Sequence, residues 1–152
     1  MSAASRRLAG ILLVLYPTAV FGGVSLLNML VNPGSGYAEN AFRQDLWRAG
    51  HAHAAVLLLL SLVVLRYVDE ANLSPGWQSL ARHAVPLAAI LLPMTFFLSV
   101  LPADATEPNG LIYLAYVGAV SLIAGLLTLG VGLLRGAPRA ATSPRNSSPS
   151  LV

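Results

Sequence analysis

Four apolar stretches separated by polar segments set the pattern of this chain. They cover about residues 8–31, 46–67, 84–101 and 111–134. A helix rises about 1.5 Å per residue, so each stretch is long enough as a helix to cross the hydrocarbon core of a bilayer. The pattern predicts an all-α fold, an integral membrane bundle of four transmembrane helices in up-down order.

The fourth stretch has a regular set of small residues. They recur at steps of three and four residues, which places them on one face of a helix: Gly118, Ser121, Gly125, Thr128 and Gly132. Small residues allow membrane helices to approach closely. We expect this face to pack inside the bundle or against another protomer.

Composition supports a membrane protein. Hydrophobic residues make up 56% of the chain and charged residues only 10%, which is more apolar surface than a soluble domain of this size could bury. Cysteine is absent, so disulfides and thiolate chemistry are excluded. The arginines are dispersed at helix ends and form no basic stripe, which argues against a nucleic-acid partner.

The distribution of arginine predicts the orientation. An arrangement with both termini in the cytoplasm leaves only Arg43 and Arg48 outside, and it places seven arginines inside: Arg6, Arg7, Arg66, Arg82, Arg135, Arg139 and Arg145. Residues 1–7 then form a cytoplasmic N-terminus. The segment 135–152, rich in proline, serine and alanine, is predicted to be a disordered cytoplasmic tail. We expect the chain in a bacterial inner (plasma) membrane.

The second stretch carries titratable side chains into its apolar run. Arg48, His51 and His53 precede a run without charge that continues to Leu65. A histidine in hydrocarbon costs free energy unless it is paired, ligated or turned to a polar interior, so this pair is a candidate site. The two histidines lie about 200° apart around a helix and cannot both point at one centre. Each could instead be an interfacial anchor, and Arg48 could extend toward the headgroups as an anchor.

Polar residues of the other helices are predicted at a similar depth. Asn28, Tyr113 and Tyr116 fall in the outer third of the bilayer with the histidines, as one polar pocket in a bundle would require. The two tyrosines also suit an aromatic belt at the interface. A closed zinc or copper site would need three or four convergent ligands, whereas haem needs one axial histidine and apolar walls.

The segment Leu46-Trp47-Arg48-Ala49-Gly50-His51-Ala52-His53 resembles a motif of a known membrane family, that of styrene oxide isomerase and hydroxylaminobenzene mutase. The segment Glu107-Pro108-Asn109-Gly110 is similar to that family's polar stretch before its last helix. The chain departs from the family after the histidines, where only alanine, valine and leucine follow up to Leu60.

The resemblance implies a trimer that binds haem b and acts on a small hydrophobic substrate, with the ferric iron as a Lewis acid on an epoxide oxygen. It makes His51 or His53 the axial ligand, and the inserted Gly50 leaves open which. Arg48 would be near the cofactor, and Asn28, Tyr113 or Tyr116 would orient the substrate. The alternative hypothesis is a non-enzymatic membrane protein, an accessory subunit or a small-ligand-binding module, whose histidines only anchor it.

Overall fold

Four long helices form the protein. The structure, a computed structural model, describes residues 1–136, so nearly all of the tail predicted to be disordered lies outside the described residues. Within residues 1–136 the helices are α1 (Ala3–Val31), α2 (Ala41–Tyr67), α3 (Pro75–Leu98) and α4 (Leu114–Gly136), with short 3-10 turns at Pro33–Ser35 and Gly110–Tyr113. All four have the length and apolar composition of a membrane span. An all-helical fold with four helices long and apolar enough to span a membrane is confirmed, and membrane insertion and orientation stay predictions.

Three helices begin earlier than the apolar pattern predicts, and the first of them, α1, begins at Ala3 rather than near residue 8. The side chain of Asn40 accepts a hydrogen bond from the backbone N–H of Arg43, and this cap starts α2 at Ala41 rather than near residue 46. Ser74 is the N-cap and Pro75 the first residue of α3, about nine residues before the apolar part of this helix. Hydropathy marks only the part of a helix that suits lipid, and capping residues decide where it begins.

Each helix packs on the next one in the chain. α1 lies along α2, α2 along α3 and α3 along α4, while α2 touches α4 only slightly. The core therefore lies mainly on α2 and α3, around Leu65, Val85 and Ala88. The outward faces of α1 and α4 are apolar and exposed, as lipid-facing surfaces are.

The small-residue face of α4 packs inside the protomer. A Cβ atom added at Gly125 would lie 2.9 Å from Cγ2 of Val85, and one at Gly132 would lie 2.6 Å from Cγ of Leu73. The hydroxyl of Ser121 donates a hydrogen bond of 2.8 Å to the carbonyl of Ala84. Of the two expected locations for this face, the structure selects the contact with α3 and the α2–α3 connection.

A polar cluster ties the start of α1 to the α2–α3 connection. Arg82 bonds Asp69 at 3.0 Å and donates to the hydroxyl of Ser5 at 3.1 Å. The backbone N–H of Ser2 donates to the other Asp69 oxygen at 2.6 Å. Burial by itself raises the pKa of Asp69, but the hydrogen bonds from Ser2, Ser5 and Arg82 outweigh it and lower that pKa from 3.8 to about 2.

We expect this cluster to make stability sensitive to acid. Because the pKa of Asp69 is lower in the folded chain, its contribution is complete above about pH 4 and is lost as the pH falls toward 2. The shift corresponds to about 2 kcal/mol. Thermal unfolding of the detergent-solubilised protein between pH 7 and pH 2 measures this loss of stability. In Asp69→Asn most of the dependence of stability on pH should disappear. Asp45→Asn, at an exposed position, is the matched control, and an equal effect of both variants would contradict the assignment.

Candidate functional site

His51 lies where α1 crosses α2. Its imidazole is half-buried under Gly22 and Gly23 of α1. A Cβ atom at Gly23 would lie 3.0 Å from both Cε1 and Nε2 of the ring. A larger residue at Gly23 would require the imidazole to shift by a few tenths of an ångström, so glycine favours this close approach of the helix. Neither ring nitrogen has a hydrogen-bond partner within residues 1–136.

Two grooves meet at His51. One, of about 250 Å³, runs between α1, α2 and α3, and its walls include Gly22, Ala54, Pro93 and Phe97. The other, of about 300 Å³, lies between α1 and α2 and shares Ala19 and His51 with the first. The walls of both grooves carry no charged side chain.

His53 lies on a different face of α2 and contacts α3. Its Nδ1 is 2.7 Å from the carbonyl oxygen of Ala49, one turn earlier, and its ring centre is 5.1 Å from that of Phe96. Because a carbonyl oxygen can only accept, Nδ1 is the donor in this bond, and in the neutral imidazole the lone pair is then on Nε2. That nitrogen has no partner among the described residues. The two histidines therefore point to different neighbours, as their spacing predicts.

Gly50 sets the distance between α2 and α3 beside the histidines. A Cβ atom at this position would lie 3.1 Å from the ring of Phe97 and 3.2 Å from Cβ of Phe96. The glycine that interrupts the resemblance to the isomerase motif therefore has a packing role in this chain. It allows the two phenylalanines to approach α2, one toward the His51 groove and the other onto His53.

The other predicted site residues do not join the histidines. Arg48 is largely exposed and pairs with Asp45 at 2.7 Å. Asn28 is exposed on α1. Tyr113, the last residue of the second 3-10 turn, and Tyr116, in the first turn of α4, stack with their ring centres 6.3 Å apart and are 68% and 71% exposed. Asn28, Tyr113 and Tyr116 line neither groove at His51, so one protomer does not assemble the single polar pocket that their shared depth suggested.

Arg43 is a buried arginine near the site. The sequence pattern assigns it only to the outer side of the membrane and gives it no role in the site. Arg43 is 8% exposed, and its guanidinium lies 3.9 Å from the ring centre of Trp47. It donates hydrogen bonds to the carbonyls of Val100 and Leu101, at 3.2 Å and 3.0 Å, just beyond the end of α3. The sequence contains a signal for this contact, because Arg43 and Trp47 are spaced i, i+4. If α2 had been predicted to begin after Asn40, this spacing would have placed the two side chains together on one face of the helix.

Tyr37 completes this cluster at the α1–α2 connection. Its ring packs 5.8 Å from that of Trp47, and its buried hydroxyl has no hydrogen-bond partner among the described residues. Burial raises the pKa of Tyr37 despite the nearby arginines, so the phenol stays neutral. Trp47 in turn donates from Nε1 to the carbonyl of Phe97 at 3.2 Å. The cluster joins the start of α2 to the end of α3 and thereby holds the histidine turn in place.

The histidines do not form a conventional metal centre with other residues. No group of three histidine, cysteine, aspartate or glutamate side chains comes together within residues 1–136. A single axial ligand remains possible in chemical terms, and His53 has the features of one. Its Nδ1 is held by a carbonyl, which fixes the ring and directs the basic nitrogen away from the helix.

The chain was also compared with known proteins. No protein-family model, no curated protein and no solved structure matches it.

Proposed function

We propose that this protein is a membrane-embedded b-type haem protein that acts on a small hydrophobic substrate, and that His53 is the axial ligand. The observation that carries the proposal is the hydrogen bond from Nδ1 of His53 to Ala49, which leaves Nε2 free on an apolar face. His51 is less suitable, because its Nε2 is directed against Gly23. The sequence resemblance left this choice open, and the side-chain geometry favours His53.

A haem on His53 would need a second apolar wall. Phe96 and Val56 supply one side, and Val56 is 62% exposed. Neither groove beside His51 includes His53, so the cofactor would lie between copies of the chain. This requirement agrees with the trimer that the resemblance implies, and it gives the exposed apolar face of α2 an occupant.

A haem held by His53 would supply Lewis-acid chemistry, as in an epoxide isomerase. The protein would hold the haem and exclude water from it. Ala49 fixes the imidazole, Phe96 packs on its ring, and the uncharged helix from Ala49 to Leu65 keeps water and competing bases away. Asn28, Tyr113 and Tyr116 could orient a substrate only if a neighbouring protomer brought them to the haem.

Visible absorption spectra test the proposal. The protein, purified in detergent from cells supplied with haem, is expected to show a Soret band that shifts on reduction with dithionite. His53→Ala should lose the band, whereas His51→Ala should keep at least half of it. A colourless wild type would contradict haem binding, and loss of the band only in His51→Ala would transfer the ligand role to that residue.

A second candidate is a non-enzymatic membrane protein with anchoring histidines. The exposure of Asn28, Tyr113 and Tyr116, away from both histidines, favours it over an enzyme complete in one chain. It predicts a colourless protein whose oligomeric size does not change in His51→Ala or His53→Ala. Turnover of styrene oxide by the haem-loaded wild type, abolished in His53→Ala, would exclude it.

A further inference from the structure

The imidazole of His51 and the buried hydroxyl of Thr95 lack hydrogen-bond partners within residues 1–136, whereas several other polar groups of the apolar helices have one. The hydroxyls of Ser25 and Ser61 donate to carbonyls one turn earlier at 2.9 Å and 2.7 Å, and His53 does the same. His51 makes no such bond with residues 1–136. A polar group at this depth without a partner costs free energy, because lipid offers none.

The groove beside His51 has limited polar capacity. Of its lining residues only Thr18 and His51 carry polar side chains, and the hydroxyl of Thr18 already donates to the carbonyl of Leu15 at 2.7 Å. The hydroxyl of Thr18 can still accept, but the imidazole is the side chain left to donate a hydrogen bond to an occupant. Since no charged side chain lines the groove, an ion would have no counter-charge there, and the occupant should be neutral.

The size and the lining residues of the groove further restrict which molecules could bind in it. A volume of about 250 Å³ lies below the range of about 300 to 1,000 Å³ that holds drug-sized ligands, so the occupant is small. Phe97 and Met94 line it, and aromatic rings pack favourably on both of these side chains. Pro93 and Ala89 add a flat apolar wall.

We propose that this groove is a binding site for a small, uncharged aromatic molecule bearing one oxygen that hydrogen-bonds to His51. The molecule would enter from the hydrocarbon phase between α1 and α3. The site lies across α2 from the nitrogen of His53 that is proposed to bind haem, so it does not depend on that proposal. A lipid acyl chain is the competing occupant, but it has no oxygen for the imidazole at this depth.

Binding of 2-naphthol to the full-length protein in lipid nanodiscs tests the site. The measured quantity is the excess of the fluorescent probe in protein-containing nanodiscs over empty nanodiscs of the same lipid. We expect saturable binding, about tenfold weaker in His51→Phe, which keeps the ring size and removes the nitrogens. Naphthalene, without the hydroxyl, should bind the wild type and His51→Phe equally.

Two alanines of α2 provide a matched pair of variants. Ala54→Leu places its side chain in the groove and should weaken 2-naphthol binding by at least tenfold, whereas Ala52→Leu, at an exposed position, should not change it. Circular dichroism and a sizing column establish that each variant is folded. Equal binding by wild type, His51→Phe and Ala54→Leu would overturn the proposal and indicate partitioning into lipid or an acyl chain in the groove. His53→Ala should still bind 2-naphthol even though it is expected to lose the haem, so the two proposals can fail independently.

Discussion

Replacement of Arg43 with alanine is expected to lower the free energy of unfolding by about 3 kcal/mol. Arg43 is the buried arginine that donates to the carbonyls of Val100 and Leu101 and lies on Trp47. Its loss leaves carbonyls beyond the end of α3 without donors and removes a positive charge from the negative end of that helix's dipole. Unfolding of the detergent-solubilised protein with increasing dodecyl sulfate measures the change.

The control for this experiment is Arg48→Ala. Arg48 pairs with Asp45 at the surface, where such a pair contributes less than about 1 kcal/mol. Arg43→Lys should recover only part of the stability, because lysine cannot donate to two carbonyls in the same fork geometry. Equal destabilisation by Arg43→Ala and Arg48→Ala would mean that the buried contacts with α3 do not stabilise the bundle.

Replacement of Gly125 with leucine is expected to destabilise the bundle by about 3 kcal/mol through overpacking. Any Cβ at Gly125 meets the side chain of Val85 at 2.9 Å and its backbone nitrogen at 3.3 Å, and backbone cannot move aside. α4 would have to separate from α3, and the hydrogen bond from Ser121 to Ala84 would lengthen. Unfolding in dodecyl sulfate again measures the loss.

Gly130→Leu is the matched control on the same helix. Nothing lies within 4 Å of a Cβ at Gly130, so this change should be neutral or slightly stabilising, since leucine favours a helix more than glycine does. If Gly125→Leu were as well tolerated as Gly130→Leu, the small-residue face would not be the contact between α3 and α4. A change of oligomeric state confined to Gly130→Leu would instead place the opposite face of α4 at a protomer boundary.

Much of the fold could be predicted because its signals are local. Hydropathy alone located the four spans, and the spacing of Gly118, Gly125 and Gly132 predicted a contact face on α4. The histidine pair was found for the same reason, since ionisable groups are rare in an apolar run. The starts of α2 and α3 were less predictable, because the side-chain cap at Asn40 and the proline at the first position of α3 extend each helix beyond its apolar part.

The membership of the site could not be predicted from depth. Asn28, Tyr113 and Tyr116 share a level with the histidines, but depth says nothing about the direction of a side chain around its helix axis. α1 and α4 are the outer helices of the row, and these three residues lie on their exposed sides. Arg43 was not predicted as part of the site, because an arginine near the start of a helix is usually exposed to solvent, whereas this one is buried.

The sequence by itself determined that this chain forms four apolar helices, that α4 has a close-packing face, and that α2 carries the candidate chemistry. These properties depend on residues near one another in the chain. Only the tertiary structure decided which neighbour each histidine meets: Gly22 and Gly23 bring α1 over His51, and Gly50 brings α3 toward His53. The physical reason is that the rotation and separation of packed helices depend on contacts between residues far apart in sequence, and one missing Cβ atom is enough to set them.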